Sequence, residues 1–243
     1  MNKSTMSGRN GSAPDGDGVT VARVVGDAHL HLPSNSRLTC TEVAKTPAFN
    51  SAVFLDRDGV VVEEVGFIRT PSEIKLPPGV PEAIVTLQDR FFIIVVTNQS
   101  GIARGLFTED DLLSIHSDMV RQLSTQGAII DGLYYCPHHP EAPIPVYRTA
   151  CQCRKPKPGM LLRAAADWGI DLQGSFLAGD QPGDVEAARA AGVRSIAIGN
   201  SFEPTLAPDL FAEDLAEAAG LILASSPPAE VTPTDQSSVA KSR

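Results

Sequence analysis

The chain has 243 residues, enough for one ordinary domain with a real hydrophobic core and short for two large ones. Its net charge of −9 and its 42% hydrophobic, 20% charged composition describe an acidic globular protein, which argues against a general nucleic-acid or anionic-membrane binder. There is no run of 18 apolar residues, and residues 1–20 lack the apolar stretch of a secretory signal, so a cytoplasmic protein with no membrane partner is expected.

Residues 1–47 are rich in Gly, Ser, Asn, Asp and Thr, and residues 225–243 hold almost no large apolar side chain. Neither stretch can bury enough surface to offset its chain entropy. Both read as disordered, with a short strand near 21–25, flanking one folded domain at 48–224. In that domain the first signal is the apolar run 52–55 (AVFL), a buried strand, followed at once by Asp56-Arg57-Asp58-Gly59. A chain turning out of a strand can point two carboxylates into one crevice. There one carboxylate could attack a phosphorus atom while the other handles the proton of the leaving group, although two such acids alone more often mark a solvated loop. Gly59 lets the backbone turn sharply beside them. A second strand at 91–96 (FFIIVV) runs into Thr97-Asn98-Gln99-Ser100-Gly101, where a hydroxyl and exposed backbone N–H groups suit an anion.

Thr108 and Asp111 are spaced as a capping box, and Leu112, Ile115, Met119 and Leu123 share one helical face. This predicts a helix from 108 that ends near Gly127. A strand at 133–135 leads to Cys136-Pro137-His138, and Cys151-Gln152-Cys153 follows after 12 residues. Two close pairs of soft or borderline ligands suit a tetrahedral, structural zinc ion, with His139 as a rival to His138. Without an oxidising compartment, metal is the better reading of this cluster than disulfides; Cys40 stands apart in the leader. Arg154, Lys155 and Lys157 then bring three cations into four positions, the local positive charge that an anionic substrate requires of an acidic protein. A helix at 159–168 stops before Gly169. The strand at 175–178 opens onto Gly179-Asp180-Gln181-Pro182-Gly183-Asp184, where Asp180 offers a hard oxygen to magnesium. Asp184 either caps the helix at 183–191 or orients the site. A last strand lies at 195–198. Strands alternating with helices imply an α/β fold with a doubly wound, Rossmann-like parallel sheet, with its chemistry at the carboxyl ends of the strands.

Taken together, FLDRDGVV, TNQSGIARG, CPHH…CQCRKPKPG and AGDQPGDVEAARAAG resemble the haloacid dehalogenase superfamily, within it the D-glycero-D-manno-heptose 1,7-bisphosphate 7-phosphatase family. The resemblance spans roughly residues 50–200. It implies a phosphatase with a minimal cap and a zinc-binding loop. It implies Asp56 as nucleophile, Asp58 as general acid and base, and Thr97 and Lys155 as phosphoryl binders. Magnesium would sit on Asp56, Asp180 and the backbone carbonyl of Asp58, and zinc on Cys136, His138, Cys151 and Cys153. Substrate contacts would come from Glu64, Phe67, Asn98, Gln99, Ser100, Arg154 and Gln181. The expected partner is a small phosphorylated sugar, met by a monomer. Histidinol-phosphate phosphatases share the zinc loop and the Arg-Lys-Pro run, but they typically carry Asp where this chain has Ser100. Gln181 stands where the heptose family commonly has Lys, and Gly66-Phe67-Ile68 where Gly-Tyr-Val is common. A non-catalytic binding module of the same fold would have lost one of Asp56, Asp58, Lys155 or Asp180, and all four are present.

Overall fold

A computed structural model describes residues 20–22, 50–199 and 206–226. The disorder expected at 1–47 and 225–243, and Cys40 with it, falls outside these residues except at 20–22 and 225–226.

Among the described residues seven strands form one sheet: β1 (Thr20–Ala22), β2 (Ala52–Leu55), β3 (Phe92–Asn98), β4 (Gly132–Cys136), β5 (Phe176–Gly179), β6 (Arg194–Ile198) and β7 (Leu210–Ala212). Their order is β1-β4-β3-β2-β5-β6-β7. Six run parallel, and β1 pairs antiparallel with β4 at one edge. The helices are α1 (Val80–Leu87), α2 (Ser100–Ala103), α3 (Glu109–Ser124), α4 (Gly159–Trp168), α5 (Pro182–Ala191) and α6 (Leu215–Ala224).

Strand alternation explains why the sheet is covered on both faces. On one face Val53, Leu55, Ile93 and Val95 pack with Ile84 of α1, Leu112, Ile115 and Met119 of α3, and Leu215 and Ile222 of α6. On the other face Ala52, Phe54, Ile94 and Val96 pack with Met160, Leu161 and Ala164 of α4 and Ala187 and Ala188 of α5. This is the doubly wound sheet that the sequence predicts. The strand order reverses at β2, so the carboxyl ends of β2, β3 and β5 lie side by side and form the crevice where such sheets bind ligands.

Several boundaries differ from the sequence reading. The second strand continues through Thr97 and Asn98, so Thr97 leaves the sheet as a strand residue. The capping box of α3 is present, with Asp111 N–H donating to Thr108 Oγ1 and Thr108 N–H donating to Asp111 Oδ2. The helix itself ends at Ser124, and Gly127 takes a left-handed φ of 82° three residues later. The helices α1 and α6 and the strand β7 carry no expectation from the sequence. Between β2 and α1 the chain makes only one bridge, Asp58 to Val62, and a single 3-10 turn at Pro71–Glu73. Val60, Val61, Val62, Ile68 and Ile74 anchor that stretch in the core, so no separate cap domain forms there. No helix among the described residues is long and apolar enough to cross a membrane.

Candidate active site

Asp56 follows the last residue of β2, where its N–H donates to the Ala178 carbonyl of β5. This bond fixes the point at which the chain leaves the sheet. Asp56 Oδ1 accepts from the Arg57 N–H at 2.7 Å and meets Lys155 Nζ at 2.9 Å, while Oδ2 has no partner among the described residues. Lys155 is buried. Its ammonium also lies 2.6 Å from Asp184 Oδ1 and donates to the Val96 carbonyl at 2.9 Å, so one carbonyl and two carboxylates surround the cation. The two carboxylates raise the Lys155 pKa above the ordinary lysine value and keep it charged despite burial. Burial, then the nearby Asp184, pushes the Asp56 pKa well above the usual carboxylate range against the pull of Lys155.

Asp180 comes off β5 next to this pair. One of its oxygens, Oδ1, is buried without a hydrogen-bond partner, and the other accepts from Gln181 Nε2 at 3.0 Å. Asp56, Asp180 and Asp184 each present a carboxylate oxygen within 4.8 Å of the others. Three acids around one lysine leave an excess of negative charge in a poorly solvated place. An orphaned hard oxygen in that setting fits a divalent cation. Two glycines make the approach possible. A Cβ on Gly59, which has a φ of +80°, would lie 2.3 Å from Asp180 Oδ2, and one on Gly179 would lie 2.3 Å from the Asp184 carboxyl group. Asp184 proves to be both things that the sequence leaves open: Oδ2 accepts the Gln181 N–H at the start of α5, and Oδ1 holds Lys155.

Asp58 is gripped from behind. Arg57 Nε and Nη2 lie 3.0 and 2.7 Å from its Oδ1, Nη2 lies 2.8 Å from Oδ2, and Gln99 Nε2 donates to Oδ2 at 2.9 Å. Gln99 also reaches Thr97 Oγ1 at 2.8 Å. Asn98 spends both polar atoms on the backbone of Lys155, accepting its N–H and donating to its carbonyl, each at 3.1 Å. The carboxyl ends of β3 and the Lys155 loop are thereby locked together.

These groups line a cavity of about 240 Å³ that includes Asp56, Asp58, Thr97, Asn98, Gln99, Arg154, Lys155, Asp180, Gln181 and Asp184. Glu64 and Phe67 form its outer wall, with Glu64 Oε1 turned back onto the Gly66 N–H. Ser100 is not in the lining; it is buried at the start of α2. Missed in the sequence is His116, fully buried on α3, whose Nε2 lies 3.2 Å from Arg57 Nη1. Its signal was a polar residue inside the apolar stripe of that helix.

Behind Arg154 the sulfurs of Cys136, Cys151 and Cys153 lie 3.0–3.5 Å apart, and His138 Nδ1 sits 3.4 Å from Cys153 Sγ and 3.6 Å from Cys136 Sγ. The four donor atoms fall within 4.8 Å of one another, as a tetrahedral N/S site requires. Of the two histidines, His138 is the one that lies in this cluster. His139 instead faces Arg104 Nη2 at 3.4 Å and accepts the Glu141 N–H. The cluster anchors the loop it closes: Lys157 Nζ donates to the Cys151 carbonyl, and Gly159 N–H to the Gln152 carbonyl.

The HAD-hydrolase-like family model matches residues 152–218. The chain is 46% identical over 143 residues, 58% of its own length and 79% of the relative's, to D-glycero-beta-D-manno-heptose-1,7-bisphosphate 7-phosphatase of Rhodopseudomonas palustris. The chain belongs to this phosphatase family. The Yersinia pestis enzyme of the same name is 40% identical over 67% of this chain and 87% of its own. The D,D-heptose 1,7-bisphosphate phosphatase of B. bronchiseptica, solved with magnesium and phosphate, superposes with a TM-score of 0.64 at 34% identity. That match covers 72% of this chain and 99% of the other. The doubly wound sheet is therefore of the HAD-hydrolase type.

Proposed function

We propose that this phosphatase removes the 7-phosphate of D-glycero-D-manno-heptose 1,7-bisphosphate through a phospho-aspartate formed on Asp56. The observation that carries the reading is the asymmetry of the Asp56 carboxylate. Oδ1 is fixed by Lys155 and the Arg57 N–H, and Oδ2 is left without a partner on the wall of the cavity. A carboxylate held at one oxygen and free at the other is oriented for nucleophilic attack.

In the first half-reaction Asp56 Oδ2 bonds to phosphorus and the bond to the C7 oxygen breaks, with Asp58 giving that oxygen its proton. In the second half, Asp58 takes a proton from water, the water oxygen bonds to phosphorus, and the electron pair of the cleaved bond returns to Asp56. The Lys155 ammonium and the Thr97 hydroxyl hold the phosphoryl oxygens, and Arg154 grips the remote end of the substrate. Asp56, Asp180 and the backbone carbonyl of Asp58 would hold magnesium, which when bound neutralises charge between the phosphoryl group and the acids. Cys136, His138, Cys151 and Cys153 would hold a structural zinc ion that fixes the Arg154-Lys155 loop.

Acid quench during turnover, followed by borohydride reduction, converts an acyl phosphate to homoserine. Peptide mass analysis should find that change at Asp56. Modification at another acid, or none while phosphate is being released at full rate, contradicts the assignment.

A further inference from the structure

Arg57 lies between the two catalytic acids in sequence, but its side chain points away from the cavity lining and is 1% exposed. Its fork is occupied at both ends. Nε and Nη2 take the Asp58 carboxylate, and Nη1 faces His116 Nε2 at 3.2 Å. A guanidinium can only donate, so His116 Nε2 must accept and the ring proton must sit on Nδ1. Burial, and the guanidinium beside it, hold the His116 pKa well below its ordinary value, which keeps the ring neutral. The ring packs edge-on to Tyr135 with centroids 5.9 Å apart, and its buried Nδ1 has no hydrogen-bond partner among the described residues. Asp58 thus sits at the end of a rigid chain that starts in the core of α3, and Gln99 braces it from the other side.

We propose that His116 is a positioning residue. By fixing Arg57, it holds the Asp58 carboxylate in the orientation that accepts a proton from the water attacking the phospho-aspartate. This inference rests on the reading of Asp58 as the general base. The Asp58 carboxylate takes donors on both oxygens, from Arg57 on each and from Gln99 on Oδ2. Without an acceptor at His116, one buried Arg57 N–H is orphaned and the fork is free to turn.

The test uses the full chain and p-nitrophenyl phosphate, whose leaving group needs no proton. In His116→Leu, kcat and KM should fall together by about tenfold, with kcat/KM held within about twofold, because only the step after phosphorylation slows. A burst of one nitrophenolate per active site should precede the steady state. His116→Gln, which keeps an acceptor at the position of Nε2, should recover most of the lost kcat. His116→Asn, polar but one bond shorter, should behave like the leucine variant and serves in its place if that variant does not fold. Asp58→Asn should give the same paired fall in kcat and KM. A kcat that falls with KM unchanged in the His116 variants, as loss of folded enzyme would produce, overturns the proposal, as does an unchanged kcat. If Asp58→Asn itself lacks the paired fall, the base assignment fails first. If Asp58→Asn shows it and His116→Leu does not, only the role of His116 fails.

Discussion

Lys155 stands at the centre of the charge balance, and each of its neighbours gives a separate test. Asp56→Asn is nearly isosteric but cannot attack phosphorus, so turnover should drop to the background while circular dichroism and the melting temperature stay close to wild type; more than a few per cent residual activity argues against the nucleophile assignment. Asp184→Ala should behave differently. It removes one of two carboxylates from a buried ammonium, and it should destabilise the fold by about 3 kcal/mol in denaturant titrations, because a buried charge loses half its compensation. Arg154 lines the cavity, and its Nη1 is only loosely tied to the His138 carbonyl at 3.4 Å. Arg154→Ala should cost about 1.5–3 kcal/mol in kcat/KM on a bisphosphate, the worth of a charge-assisted bond, and far less on nitrophenyl phosphate, which lacks a remote anion. Equal losses on both would place Arg154 at the reacting phosphoryl group instead. At this scale the sequence was informative wherever a residue type had one chemical use: Asp after a buried strand, Lys beside Arg in an acidic chain, Cys in pairs. It was silent on Arg57 and His116 because their roles depend on a contact across 59 positions that no local spacing encodes. Asn98 shows the reverse, a plausible substrate ligand whose polar atoms are taken up by the backbone of Lys155.

Each element of the site is positioned by something outside its own strand. The Gly179–Asp184 approach ties β5 to α5 so closely that no side chain fits between them. Gly179→Ala should therefore displace the start of α5 and with it Asp180 and Asp184. The expected result is a loss of about 1–3 kcal/mol in stability from overpacking together with a large loss of activity. The proposed zinc site on Cys136, His138, Cys151 and Cys153 would do the corresponding task for Arg154 and Lys155. Cys151→Ser opens the tetrahedral set, and melting temperature, activity and the zinc content measured by elemental analysis should all fall together. A wild-type protein that purifies without zinc contradicts the reading of that cluster. The helices found in the sequence were those with a periodic stripe and a terminal signal, such as α3 with its Thr108 cap and α5 before Gly192. α1 was hidden by Pro81 in its first turn, a position helices tolerate but which breaks the pattern on paper. α6 (LAEAAGLILA) is nearly all apolar or small and shows no polar face to reveal its period.

For the whole molecule, the doubly wound sheet follows from alternation: apolar strands with both faces buried require helices on both sides. The sheet order then decides where chemistry occurs, since the reversal at β2 places the ends of β2, β3 and β5 together. What alternation cannot supply is the substrate. The cavity is lined by Glu64, Phe67 and Gln181 among others, residues whose identity the fold does not constrain. The most direct measurement is therefore 31P NMR of the purified protein with magnesium and D-glycero-D-manno-heptose 1,7-bisphosphate, run beside histidinol phosphate at equal concentration. The C7 phosphomonoester signal should be lost with the C1 signal retained, and histidinol phosphate should turn over little. Loss of the C1 phosphate, or faster hydrolysis of histidinol phosphate, would contradict the proposed function.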